Sequence, residues 1–144
     1  MEIQLLVIII IMIACSAFFS ASETALTGAN RIRLKSMAEN GSKGAKMALK
    51  LLDRYDKVIT TILIGNNIVN ITASSLGTIL ATAVVGADNA ALVSTVVLTL
   101  VILTFGEVMP KSLAKDHSEG LTVATSGIIT FLTFIFTPLS ALFI

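Results

Sequence analysis

The chain has 144 residues, 55% of them hydrophobic and only 13% charged, with a net charge of +1. A soluble domain carries about 25% charged residues, so this composition excludes an ordinary water-soluble globule and describes an integral membrane protein. A single cysteine, Cys15, excludes an intramolecular disulfide and a cysteine-based metal cluster.

The first apolar run, Ile3–Phe19, is short for a bilayer. It continues helically through Ala21-Ser22-Glu23-Thr24-Ala25-Leu26, which predicts a first span over residues 3–28. It has no basic stretch before it, carries Glu2 and lacks a small-x-small cleavage site, so it does not read as a cleavable signal peptide. Residues 31–56 are polar. There Met37, Ala45, Met47, Ala48, Leu51 and Leu52 alternate with Lys43, Lys46, Lys50 and Arg54 on a helical period. Asn40-Gly41-Ser42 predicts a break between two short helices. The pattern reads as a basic amphipathic linker lying on anionic headgroups.

Residues 58–85 are uncharged and long enough to cross with tilt. Gly86-Ala87-Asp88-Asn89 reads as a tight turn in which Asp88 or Asn89 caps the next helix. The third span covers 89–113. Segment 119–144 carries Thr122, Ser126, Thr130, Thr133 and Thr137 at helical spacing and is interrupted by Pro138. Hydropathy leaves open whether it spans or lies along the interface. The lone histidine, His117, reads as a solvated loop residue.

Eight of the ten basic residues fall between Arg31 and Lys57, and the others are Lys111 and Lys115. By the positive-inside rule these segments face the cytoplasm. The expected product is a multi-pass cell-membrane protein with its N-terminus outside and its C-terminus cytoplasmic. The small residues Ala73, Gly77 and Ala81 on the second span suit close helix packing, including against a second copy.

Three polar patches interrupt the spans: Ser20-Ala21-Ser22-Glu23, Gly65-Asn66-Asn67-Ile68-Val69-Asn70 and Gly106-Glu107. Helical rise puts Ser20 about 16 Å from Arg31, and Asn66 and Asn70 roughly 13 and 20 Å from Lys57. Glu107 is about 6 Å from Lys111 and about 12 Å from Lys115 by the same measure. All three patches are therefore expected in the cytoplasmic half of the membrane. A carboxylate at that depth is costly without a partner, a cation or a proton. Pro110 removes the N–H that would bond the Gly106 carbonyl, freeing a second oxygen beside Glu107. Hydroxyl, amide, carboxylate and carbonyl oxygens suit a hard cation such as Mg²⁺, Ca²⁺ or Na⁺ rather than zinc or copper. The plainer readings are that the serines and asparagines are interhelical hydrogen-bond glue and that Glu107 pairs with Lys111 at i+4.

The motifs Phe19-Ser20-Ala21-Ser22-Glu23-Thr24-Ala25, Gly65-Asn66-Asn67-Ile68-Val69-Asn70 and Phe105-Gly106-Glu107-Val108-Met109-Pro110-Lys111 occur in this order. Together they resemble the transmembrane domain of the CorC/CNNM (cyclin M) family, also called domain of unknown function 21, over essentially the whole chain. The resemblance implies an all-α domain of three transmembrane helices with juxtamembrane helices at 31–56 and 119–144, forming a homodimer in the bilayer. It also implies a downstream ATP-binding CBS-domain pair in the full-length protein, beyond residue 144. It names Mg²⁺ as the transported ion and Na⁺ as the counter-ion, with efflux by alternating access. Ser20, Asn66, Asn70, Gly106 and Glu107 are the implied ligands. Ser22, Glu23 and Asn67, at which some members depart from the motif, are additional candidates for ion binding or gating, as are Pro110, a flexing point, and Lys111, which can neutralise the empty site. The alternative is a Mg²⁺-sensing module that controls other transporters. An enzyme is not expected, since there is no nucleophile–base pair or phosphate loop, nor is a nucleic-acid partner.

Overall fold

A computed structural model describes residues 2–143, so Met1 and Ile144, the ends of the expected 1–144 domain, lie outside it. The described residues form helices and no strands: α1 (Glu2–Gly28), α2 (Arg31–Glu39), α3 (Lys43–Asp53), α4 (Tyr55–Val85), α5 (Ala87–Val101), α6 (Met109–Asp116), α7 (Ser118–Ile135) and α8 (Thr137–Phe143). A π-helical segment, Ile102–Val108, joins α5 to α6 without a break. Among the described residues four stretches are long and apolar enough to cross a membrane: Glu2–Gly28, Tyr55–Val85, Ala87–Asp116 and Ser118–Ile135. By length and composition α7 therefore qualifies beside the three expected spans.

The chain divides into two compact units. The first comprises residues 1–20 and 66–110, and the second residues 21–65 and 111–144.

In the first unit the start of α1 lies beside the end of α4. Leu6, Ile9 and Ile13 share an apolar cavity of about 300 Å³ with Leu80, Ala81 and Val84. These two segments are thus antiparallel. Ala73, Gly77 and Ala81 are buried, and a Cβ on Gly77 would collide with Leu98 of α5. The small residues expected to favour a second copy are consumed within the protomer. Gly77 lets α5 approach α4, and what the three leave outside is a different face.

Gly86 alone makes the sharp turn into α5. Its φ of +86° suits a residue without a Cβ, and the N-cap forms no side-chain hydrogen bond. Asp88 and Asn89 therefore do not cap. They lie inside the first helical turn, where an acidic side chain faces the positive end of the helix dipole.

In the second unit Asn30 accepts from the Ile32 and Arg33 amides and Ser42 accepts from the Ala45 amide, so α2 and α3 each start on a side-chain cap. Asn40-Gly41-Ser42 separates them, with Gly41 at φ +98°. The apolar face of α3 packs against protein. Ala45 and Ala48 join Leu34 in a core that Met37, Leu52 and Val123 cover. Gly44 permits this packing, since a Cβ there would sit 2.6 Å from Val123 Cγ1 and 3.0 Å from the Val123 carbonyl oxygen. The lysines of α3 remain on its outer side. The hydroxyl stripe on α7 serves its own backbone: Thr122, Thr130, Thr133 and Thr137 each donate to the carbonyl four residues back, at 2.7–2.8 Å. Phe136 ends α7, and Pro138 stands second in α8, in the first helical turn where its missing N–H is tolerated. His117, exposed, links α6 to α7.

Candidate cation site

Within the first unit three helical segments meet at Ser16. This serine is fully buried, and its Oγ donates to Asn66 Oδ1 at 3.1 Å. A Cβ built on Gly106 would lie 3.1 Å from the same Oγ, so the glycine is what brings the π-helical segment against α1. Asn66 and Glu107 are half-buried, Gly106 is buried and Asn67 is exposed.

Ser20 stands one turn from Ser16 on the same face of α1, and Asn70 one turn from Asn66 on α4. Both present an oxygen that is buried and unsatisfied. Among the described residues Ser20 Oγ and Asn70 Oδ1 have no hydrogen-bond partner, although the serine is only 1% exposed. Leaving such atoms unpaired costs about 1–3 kcal/mol each. Two of them on the faces that carry Ser16 and Asn66 are what a cation site requires and what a purely structural interface avoids.

Because α1 and α4 are antiparallel here, Ser20 and Asn70 lie on opposite sides of the Ser16–Asn66 contact, each about 6 Å away along the axis. The oxygens form a short ladder whose middle rung is Ser16, Asn66 and Gly106.

The π-helical register explains the third patch. Met109 donates to the Thr104 carbonyl five residues back, immediately before buried Pro110, which has nothing to donate. The switch of register and the missing donor coincide at Gly106–Pro110. Single π-turns of this kind recur at functional sites.

Ser22, Glu23 and Lys111 belong to the second unit. Ser22 Oγ is buried and unpartnered. Half-buried Glu23 lines a cavity of about 360 Å³ with Thr24, Thr27, Lys115 and Ser118. Lys111 is exposed on α6. The ion pairs among the described residues are Arg31–Asp53 at 2.7 Å and Arg33–Glu119 at 3.9 Å, and Glu107 is in neither. Among the described residues no three His, Cys, Asp or Glu side chains gather into a metal cluster. The side chains at this contact are neutral, and Glu107, next to Gly106 in the chain, is the carboxylate nearest to it in sequence. Ser16 was not among the sequence candidates. Its spacing of four from Ser20, matching Asn66 and Asn70, is the signal that would have found it.

The family model of the cyclin M transmembrane N-terminal domain matches residues 7–144. The chain belongs to the cyclin M (CNNM) family. It is 44% identical to a UPF0053 protein of Haemophilus influenzae over 94% of its length, which is 32% of that protein. It is 44% identical to the UPF0053 inner membrane protein YfjD of Escherichia coli over 86% of its length, 29% of that protein. A Haemophilus influenzae relative named polyamine export protein is 27% identical over 91% of this chain and 33% of its own length. The chain thus spans about a third of these cyclin M relatives.

Proposed function

We propose that this cyclin M domain carries Mg²⁺ across the cell membrane, outward and coupled to Na⁺ entry, by alternating access. The observation that carries the reading is the pair of buried, unpartnered oxygens, Ser20 Oγ and Asn70 Oδ1, flanking the Ser16–Asn66–Gly106 contact. Oxygen-only donors with a single carboxylate suit a hard divalent ion held with some of its water. Mg²⁺–oxygen distances are about 2.1 Å, so Ser20 and Asn70 act on the ion in succession, with the Ser16 rung between them and Glu107, next to Gly106, as the charged ligand. Moderate affinity follows from the sparse charge, and a carrier must release what it binds. The π-helical segment ahead of Pro110 is the flexing element, in keeping with broken helices at transporter ion sites. Ser22, Glu23, Asn67 and Lys111 are candidates for Na⁺ binding or gating. The site works in a homodimer, joined in the full-length protein to a cytoplasmic CBS-domain pair.

A second reading has support of its own. A relative carries the name polyamine export protein, and a polyamine is also a cation that neutral oxygens and a carboxylate attract. A third reading makes the site a Mg²⁺ sensor. Flux through purified protein in liposomes separates the three. Mg²⁺ export without a partner protein supports the proposal. Export of a polyamine with no Mg²⁺ flux supports the second reading, and Mg²⁺ binding without any flux supports the sensor.

A further inference from the structure

Asn66 and Asn70 continue along α4 as a row at every fourth residue: Asn66, Asn70, Ser74, Thr78, Thr82. Consecutive members of the row are neighbours on the helix surface, and the row winds slowly round α4 from Asn66, which faces Ser16, to Thr78, which faces Ser94, away from the basic residues near Lys57 and toward the Gly86 turn. Opposite it, Ser94, Thr95 and Thr99 stand on α5. The two sets enclose a cavity of about 370 Å³ within the first unit, lined by Asn70, Ser74, Thr78, Ser94, Thr95 and Thr99 together with a few aliphatic side chains. Six waters occupy roughly 180 Å³ in the liquid, so a hydrated cation fits. Among the described residues its walls carry no charged side chain.

The hydrogen bonds set the polarity of this cavity. Thr78 donates its only hydroxyl proton to the Ser74 carbonyl at 3.1 Å. With that proton on the carbonyl, Ser94 is the donor in the 3.1 Å contact between Ser94 Oγ and Thr78 Oγ1, in which either hydroxyl can donate. Thr78 consequently presents lone pairs rather than a proton. Ser74, Thr78, Thr95 and Thr99 are exposed although they stand on helices apolar enough to cross a bilayer. Hydroxyls are poorly placed against lipid tails, and lining a water-filled cavity relieves that. Asn70, whose Oδ1 lacks a partner, stands at the end of the cavity nearest the Ser16–Asn66 rung.

We infer that this hydroxyl-lined cavity is the outward leg of the cation path, holding the ion as a partly hydrated species between Asn70 and the outer surface. The inference rests on the transport reading above and adds to it the route and the hydration state. Acceptor oxygens without a carboxylate hold the ion's water rather than the bare ion, so the leg passes cations without trapping them.

The test uses cysteine substitutions in a Cys15→Ala background, reconstituted in liposomes and treated with a membrane-impermeant cationic methanethiosulfonate from the N-terminal side. Thr78→Cys and Thr95→Cys should react roughly tenfold faster than lipid-facing Leu92→Cys, because a thiol reacts as the thiolate, which needs water. Attaching the fixed positive charge should then cut Mg²⁺ flux at least about tenfold by like-charge repulsion in the cavity, with Mg²⁺ binding at the Glu107 site retained. No labelling at Thr78→Cys, or full labelling with unchanged flux, overturns the leg while flux through the unmodified background protein leaves the transport reading standing. Oxidation of Thr78→Cys to a disulfide between two copies, with protection from the reagent, overturns it by making this face a dimer interface. Absence of Mg²⁺ flux from the unmodified background protein overturns the transport reading and the leg together.

Discussion

Ser16, Ser20, Asn66 and Asn70 have the same amino-acid chemistry yet opposite standing. Ser16 and Asn66 satisfy each other, whereas Ser20 Oγ and Asn70 Oδ1 are buried with no partner. The two pairs should respond to substitution with opposite signs. Ser16→Ala strips the donor from Asn66 and should lower stability by about 1–3 kcal/mol, read by thermal unfolding in detergent. Ser20→Ala removes an unsatisfied hydroxyl. It should raise the ion-free unfolding temperature and shrink the further rise that Mg²⁺ produces, since an ion stabilises only the state that binds it. A fall in both would mark Ser20 as packing alone. The sequence exposed the cost of Asn70 and Glu107 because polar residues inside an apolar run stand out. It did not expose Ser16, because a serine in a helix is small, cheap and ordinary until its neighbour is known.

Helical periodicity made the all-helical class legible, and Asn40-Gly41-Ser42 marked the α2–α3 break. Two element-level features were not legible. One is the π register of Ile102–Val108, which depends on a slip of one residue in the hydrogen-bond ladder rather than on which side chains are present. Pro110 signalled only that a donor was missing. Pro110→Ala restores that donor and should let the segment revert toward α register. The expected result is higher thermal stability with Mg²⁺ flux reduced at least about tenfold, the usual opposition of stability and function at a strained site. Unchanged flux would remove the segment from the mechanism. The other is the face of α3, whose alternating lysines and aliphatics fit either lipid or a protein partner. Tertiary packing against α2 and α7 decided it, at Ala45, Ala48 and Gly44. Gly44→Leu would drive a side chain into Val123, and overpacking of this kind costs about 1–3 kcal/mol. A melting temperature equal to the unsubstituted protein's would contradict that packing.

At the scale of the whole molecule, sequence composition sufficed for a membrane protein, and three ordered motifs sufficed for the cyclin M family, to which residues 7–144 belong. Composition was less decisive for α7, which is apolar and long enough to span while its buried hydroxyls bond to its own backbone. A homodimer remains the expected assembly, and with Ala73, Gly77 and Ala81 buried in the protomer its contact must use another face. Cross-linking in native membranes should yield a discrete dimer, and a monomer alone at every reagent concentration would rule the assembly out. The central claim concerns the carboxylate that a bilayer tolerates least. Glu107→Gln keeps the shape and removes the charge, so purified protein in liposomes should lose Mg²⁺ flux by at least roughly tenfold, the scale at which metal-site substitutions act, while still folding and inserting. Mg²⁺ flux equal to that of the unsubstituted protein would contradict the assignment of Glu107 to the cation site.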